Sequence, residues 1–474
     1  MPRYGYDRLS AQDNSFLIWE TPYVHMHVAS TLILEVGPFR TADGGIDVER
    51  FKRATEAVLH RIPRYRQKLH WIPGFQHAVW VDDPRFNLDF HIRHTALPKP
   101  GSAAQLKRLS ARIMSQQLDR RRPLWENWLV EGLDGGERFA LITKIHHCMV
   151  DGVSGSDLLA ILLDQEPEPV VVAPPPYSPP AEPDDLELAR DAVMSIVAHP
   201  IARLRSMFDA AGGVDGLVAS ARELARGLVS MAGLARPLST SSLTGAIGPH
   251  RSWAWARATL RDVKEIRAAL GGTVNDVVLA AITNGFRELL LARGEDVTDR
   301  VVRTLVPVSV RGNARGVYDN RVSGMFASLP VGITDAAPRL DAIHAQMADL
   351  KESSQAVAGE VLTSLSGFAP SMLLTLGMRV AVRVPQRSLH TVTTNVPGPQ
   401  GPLYLCGHQM LEAFPFVPLI PTTRVAVAIF SYDGALGFGI TGDFDAAPDL
   451  DVLARGVEDG VAQLLTRARA TTPA

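Results

Sequence analysis

Two adjacent histidines, His146 and His147, stand in the run Lys144-Ile145-His146-His147-Cys148-Met149-Val150-Asp151-Gly152. A neutral imidazole, with a pKa of about 6.5, can take a proton from a reacting hydroxyl near neutral pH, which is general-base chemistry. The residues before the pair read as a strand, and successive strand side chains point to opposite faces. Only one of the two histidines can therefore face a given cavity. Asp151 returns near His147 if the residues between them make a tight turn, and Gly152 permits the dihedrals such a turn needs. The plain alternative is a strand-end histidine satisfied by its surroundings. No further cluster of histidine and acid at ligand spacing stands close by, so no metal is expected. Cys148, next along the chain, points away from His147 and reads as packing rather than as a nucleophile.

The elements that must hold this pair are legible around it. Trp128–Leu133 and Phe139–Ile145 read as antiparallel strands joined by the turn Asp134-Gly135-Gly136. A buried strand is expected at Val28–Val36, helices at Asp47–His60 and Ala103–Leu118, and an alternating strand at Phe86–Ile92. Ser154–Leu163 reads as a helix with a serine N-cap. Residues 166–185 carry eight prolines, too many for a regular element, and mark a linker or strap. Leu186–Arg236 is helical in pattern, interrupted at Pro200 and Gly212-Gly213. A second strand-rich block begins near Arg251, with strands at Ser252–Leu260, Val302–Val310, Phe326–Val331, Leu389–Val396, Arg424–Tyr432 and Leu436–Asp443. Its helices are expected at Val263–Leu270 and Thr273–Ala292. Pro307 assigns its strand to an edge or a bulge.

The chain of 474 residues is too long for one core and predicts two domains. We divide it into residues 1–165, a connector 166–250, and residues 251–474, in an α/β (α+β) architecture. A net charge of −2 with scattered arginines gives no reason to expect nucleic acid. Two cysteines, Cys148 and Cys406, neither in a CxxC spacing, suit a reducing cytoplasm without a disulfide framework. No secretory signal is expected in the polar start of the chain, nor a transmembrane helix anywhere.

The run from Lys144 to Gly155 resembles the HHxxxDG motif of the CoA-dependent acyltransferase superfamily. With Pro123-Leu124-Trp125, Val274-Asn275-Asp276, Pro307–Arg311, Asn320–Gly324, Asn395-Val396-Pro397-Gly398-Pro399 and Ser431-Tyr432-Asp433-Gly434 in this order, the whole chain resembles the bacterial wax ester synthase/acyl-CoA:diacylglycerol acyltransferase family. The resemblance implies two chloramphenicol-acetyltransferase-like domains of similar topology with a tunnel between them and His147 at its middle. It implies transfer of a long-chain acyl group from acyl-CoA to diacylglycerol, with His147 as general base. Long-chain alcohols as acceptors, giving wax esters, and a silent lipid-droplet protein are the alternatives.

The same resemblance makes His146, Asp151 and Gly152 supports of the motif, Asp151 by an ion pair that holds the loop. Asn275 becomes a candidate oxyanion donor, with Thr393 and Asn395 behind it; the reading of Asn275 as a helix cap stands equally beside this. Pro123-Leu124-Trp125 reads more as core than as substrate contact. No cofactor is expected beyond acyl-CoA as co-substrate, and no metal. Lipid substrates imply a peripheral membrane or lipid-droplet surface. Met372–Val384 and Ile201–Phe208 could face such a surface or be buried helices.

Overall fold

The computed structural model describes residues 5–42, 44–74, 77–149, 159, 161–168, 173–194, 241–309, 322–352 and 389–471. The expected helix at Ser154–Leu163 lies mostly outside these residues, as do Ile201–Phe208 and Met372–Val384. Residues 185–194 are helical, and the rest of Leu186–Arg236 is likewise outside.

The first half contributes strands β1 (Tyr6–Arg8), β2 (His27–Glu35), β3 (Gln67–Trp71), β4 (Ala78–Asp82), β5 (Ile92–Ala96), β6 (Trp125–Leu133) and β7 (Arg138–His146). Its helices are α1 (Ala11–Trp19), α2 (Val48–Val58), the single turn α3 (Leu88–His91) and α4 (Ala103–Ser115). The second half runs β8 (Arg251–Thr259), α5 (Leu260–Leu270), α6 (Val274–Ala292), β9 (Val302–Ser309), β10 (Val322–Leu329) and α7 (Ala336–Glu352). It closes with β11 (Thr391–Pro397), β12 (Tyr404–Leu405), β13 (His408–Phe416), β14 (Val425–Tyr432), β15 (Ala435–Asp443) and α8 (Leu450–Thr471).

Two six-stranded sheets result, in the orders β12-β13-β2-β7-β6-β5 and β10-β9-β11-β14-β15-β8, beside a small sheet β1-β4-β3. The sheets share a motif. β5 runs parallel to β6, β6 and β7 form a hairpin, and β7 pairs antiparallel with β2. In the second sheet β11 runs parallel to β14, β14 and β15 form a hairpin, and β15 pairs antiparallel with β8. Strand β14, in the middle of the second sheet, is buried at every residue and almost wholly apolar, as a strand covered on both faces must be.

The halves are tied together by β13, which leaves the second half and pairs with β2 of the first sheet. There it lies hard against β15. A Cβ on Gly437 would stand 2.1 Å from the Ala413 carbonyl oxygen, and one on Gly439 would stand 1.6 Å from that of Pro415. Only residues without a side chain allow the approach. Trp253 and Trp255 of β8 pack with Phe414, Phe416 and Met114 in one core that spans both halves.

Three expectations change. The stretch Phe86–Ile92 is no strand: the Asn87 side chain accepts from the Asp89 N–H at 2.9 Å and caps the turn α3, so the strand starts only at Ile92. Pro307 sits in a strand with neighbours on both sides, but β11 meets β9 only at Thr304 and Leu305. The missing N–H of Pro307 falls beyond that pairing. Asn275 does not cap α6; Thr273 does, accepting from the Asp276 N–H at 3.2 Å while Asp276 accepts from the Thr273 N–H at 2.8 Å. The proline-rich strap crosses the small sheet, with Tyr177 over the Arg66 guanidinium and Glu182 against Lys68 and His70.

Candidate active site

β7 ends at His146, and His147–Met149 form a single 3-10 turn. The two histidines part as strand geometry requires. His146 is 1% exposed and lies opposite His27 of β2. His147 is half-buried and stacks on Phe16 of α1, ring centroids 3.9 Å apart. α1 is set in place by Ser10, whose hydroxyl accepts from the Asp13 N–H at 3.0 Å. The His147 N–H donates to the Met26 carbonyl at 2.8 Å, which seats the turn on the start of β2. The Cys148 N–H donates to His146 Nδ1 at 3.2 Å.

Burial pushes the His147 imidazole down to about 4; a bond to its own backbone carbonyl opposes this and the neighbouring His146 adds to it. The ring is therefore neutral at pH 7. Cys148 is fully buried beside Leu17 and Trp125, and burial drives its thiol well above the ordinary range. Burial there disfavours a thiolate nucleophile. Cys406, also buried, is pushed up to about 11.

Beneath the pair sits Glu20, a residue that sequence reasoning missed, with Arg120 bound to it at 2.5 Å. Burial alone would raise the Glu20 carboxyl, but His146 and Arg120 outweigh it and hold the group down at about 2. Lys144, two residues before His146, is buried too, donating to the carbonyls of Ile113 and Gln116. Burial lowers it to about 8, against the attraction of Glu126 and Glu20. A glutamate between Trp19 and Thr21 in an apolar stretch was the one available signal for Glu20. Nothing in a single sequence links it to an arginine one hundred residues on.

The remaining candidates fall into separate groups. Asp151 and Gly152 lie outside the described residues. Asn275, at the start of α6, and Asn395, on β11, come together, Asn395 Nδ2 donating to Asn275 Oδ1 at 3.3 Å. Thr393 is buried and accepts from the Thr304 hydroxyl at 2.9 Å within the sheet. Leu124 and Trp125 are core: Trp125 stacks between Tyr65 and His91 and donates to the Tyr65 carbonyl at 2.8 Å. Gly398 lies against the Ser431 carbonyl, where a Cβ would come within 2.3 Å, so the turn after Asn395 needs glycine. A cleft of about 460 Å³ opens where β13, β15 and α8 meet, walled by Phe414, Phe430 and Leu465. His147 is not in its wall. Among the described residues no group of three or more His, Cys, Asp or Glu is placed to hold a metal ion.

Two sheets of matching topology, clasped by a strand exchanged between halves and carrying a histidine pair at one hairpin end, define the class. By fold the chain is similar to the wax ester synthase/diacylglycerol acyltransferase from Marinobacter aquaeolei VT8 (TM-score 0.67, 24% identity, 98% of this chain and 100% of that one). It is also similar to the first condensation domain of the calcium-dependent antibiotic synthetase (TM-score 0.56, 17% identity, 98% and 96%). Residues 9–278 match the wax ester synthase/diacylglycerol acyltransferase catalytic domain, and residues 318–464 match the WS/DGAT C-terminal domain. A Mycobacterium tuberculosis (strain ATCC 25618 / H37Rv) protein described as probable diacyglycerol O-acyltransferase tgs1 is 36% identical over 462 residues, 97% of this chain and 96% of its own length. The chain belongs to the wax ester synthase/diacylglycerol acyltransferase family.

Proposed function

We propose that this protein transfers a long-chain acyl group from acyl-CoA to the hydroxyl of diacylglycerol, making triacylglycerol, with His147 as general base. The observation that carries the proposal is a neutral, partly desolvated imidazole at the end of β7, in a chain whose relatives are described as diacylglycerol acyltransferases. The ring nitrogen able to reach its own backbone carbonyl is Nδ1, because Nε2 is on the far side of the ring. Nε2 then carries the lone pair and takes the hydroxyl proton as oxygen attacks the thioester carbonyl. The tetrahedral intermediate collapses to the ester, and the imidazolium gives its proton to the departing CoA thiolate. No covalent acyl-enzyme is needed.

A base at about 4 accepts a proton reluctantly in the empty site. The negative charge growing on the substrate beside it offsets that cost, because opposite charges attract more strongly where water is excluded. The Asn275–Asn395 pair is our candidate donor to the oxyanion. With Asn275 Oδ1 accepting from Asn395, the pair offers the Asn275 amide NH2 and the second N–H of Asn395. His146, Asp151 and Gly152 support the loop. On the pattern of the family, acyl-CoA and acceptor would reach His147 from opposite sides of a tunnel between the halves, and an insoluble acceptor calls for contact with a membrane or lipid-droplet surface. Among the described residues no single helix is long and apolar enough to cross a bilayer. The apolar pair α5–α6 bends by 102°, and α6 is core.

The test is thiol release from palmitoyl-CoA with dioleoylglycerol or hexadecanol, followed by product analysis. Triacylglycerol as the main product is the expected result. Wax ester alone would reassign the acceptor, and no CoA release with either alcohol would sink the enzyme reading.

A further inference from the structure

Glu20 belongs to none of the motifs, yet its carboxylate faces His146 and reaches His147 through Met26. α1 ends at Trp19, and extended backbone at Glu20 (φ −66°, ψ 136°) turns its side chain, 2% exposed, beneath the end of β7. The two carboxylate oxygens have separate tasks. Oε2 accepts from Arg120 Nη2 at 2.5 Å and Nε at 3.2 Å, and from Gln117 Nε2 at 3.2 Å. Arg120 is itself braced by the Leu17 carbonyl at 3.0 Å. Oε1 accepts from the Met26 N–H at 2.8 Å and faces His146 Nε2 at 3.2 Å, an ion-pair distance at an angle too oblique for a straight hydrogen bond.

Two lines lead from Oε1 to His147. One runs through Met26, whose N–H is held by Glu20 and whose carbonyl holds the His147 N–H at 2.8 Å. The other runs through His146. Its Nδ1 accepts from the Cys148 N–H, so that nitrogen carries no proton and the ring's hydrogen lies on Nε2, toward Glu20. His27 is not a third line: its Nε2 accepts from the Leu118 N–H at 3.4 Å, so its approach to Glu20 at 3.6 Å sets two acceptors side by side.

We propose that Glu20 is the positioning residue for His147: its carboxylate, with the Cys148 N–H on the other side of the ring, favours the Nε2–H tautomer of His146, fixes the seat of Met26, and through both aims the reacting imidazole. The inference rests on the reading of His147 as the base. A carboxylate that merely held the fold together could be replaced without changing the ring orientation of the molecules that remain folded.

The experiment uses the full chain with 15N-labelled histidine. Two-bond 1H–15N spectra report the tautomer of each ring, and His146 is assigned by comparison with His146→Asn. In the wild type His146 is expected with its proton on Nε2; a proton on Nδ1 overturns the proposal whatever any variant does. In Glu20→Gln the NH2 group must face either Arg120 or the His146–Met26 side: the first removes the negative charge facing His146 Nε2 and the second opposes it, so the signal should depart from its single wild-type tautomer. Misalignment of about 1 Å at a reacting group costs on the order of 10²-fold. The turnover number of Glu20→Gln, per folded molecule, is therefore expected to fall by that order while the KM for palmitoyl-CoA stays within about twofold. An unchanged turnover per folded molecule, or a fall with the His146 tautomer intact, overturns the proposal. A wild type that releases no CoA with any alcohol defeats the functional reading instead, and the wild-type tautomer separates that failure from this one.

Discussion

The two sheets end their central hairpins in the same way and fill the end with different chemistry. In the first, the last residue of β7, His146, faces the first residue of β2, His27. In the second, the last residue of β15, Asp443, faces the first residue of β8, Arg251, with charged groups 3.8 Å apart. Asp443 also accepts from the Gly248 N–H at 2.6 Å and the Ala446 N–H at 2.9 Å, so its carboxylate closes the turn. One hairpin end is an ion pair consumed by structure. The other is a pair of imidazoles with the carboxylate withdrawn to Glu20, which leaves the next residue, His147, partly open. The scaffold supplies a strand end at a junction between halves; the side chains placed there decide whether it is a clamp or a reactive site.

The comparison breaks first at His147. Removing the proposed general base should lower turnover by about 10²–10⁴-fold. His147→Ala should leave the melting temperature near that of the wild type, since the ring is half-buried and holds no buried charge. Retained turnover would leave the family assignment standing and remove the proposed base. At the equivalent end of the other half the effect should be the reverse. Asp443→Ala leaves the Gly248 and Ala446 N–H groups without their acceptor and removes the counter-charge of the buried Arg251 guanidinium, which keeps its bonds to backbone carbonyls; breaking a buried pair on one side costs about 3–5 kcal/mol. Denaturant unfolding should show that loss, with turnover per folded molecule changed little. If Asp443→Ala abolished turnover in a stable protein, the second hairpin end would be part of the site as well.

A smaller effect tests what joins the halves. Gly439→Ala introduces a methyl against the Pro415 backbone carbonyl, and backbone must move because neither atom can rotate away. Overpacking of this kind costs about 1–3 kcal/mol. The loss should appear as an earlier urea midpoint, and Gly401→Ala, where a Cβ meets nothing within 4 Å, is the control.

How much of this was legible in the sequence follows from the range of each interaction. The hairpin β6–β7, with its Asp134–Gly136 turn, and the apolar strands β14 and β15 announce themselves locally, as does the histidine pair. Helix α8 is not among the expected elements although its buried residues Leu450, Leu453, Val457, Val461 and Leu464 carry helical spacing. α3 was mistaken for strand because a single capping asparagine outranked the alternation around it. The exchange of β13 into the first sheet joins residues such as Phe414 and Thr31, nearly four hundred positions apart, and only Gly437 and Gly439 mark it. Asn275 and Asn395 do meet each other, but the Glu20–Arg120 pair was invisible because burial, not spacing, selects it.

The smallest expected effect is a near-absence of change, and it bears on the imidazole end alone, since the Arg251 guanidinium stays charged across the working range. His147 is held at about 4 by burial, against an ordinary value of 6.5. At pH 5.5 a base at 4 is about 97% neutral, whereas one at 6.5 is about 9% neutral, a tenfold difference in competent enzyme. The ratio kcat/KM, which reports the free enzyme, should therefore hardly fall between pH 7.5 and 5.5. A fall of about tenfold would show an ordinary, solvated histidine. Stability moves the other way over the same window. His77, His91 and His147 are all lowered to about 4, so the unfolded chain binds their protons first. The stability they contribute is complete above about pH 6.5 and is lost as the pH falls toward 4. The urea midpoint should thus drop between pH 7 and 5 while kcat/KM per folded molecule holds. Burial of the base then carries a stability penalty in acid and brings, in return, a site that stays deprotonated where an exposed histidine would not.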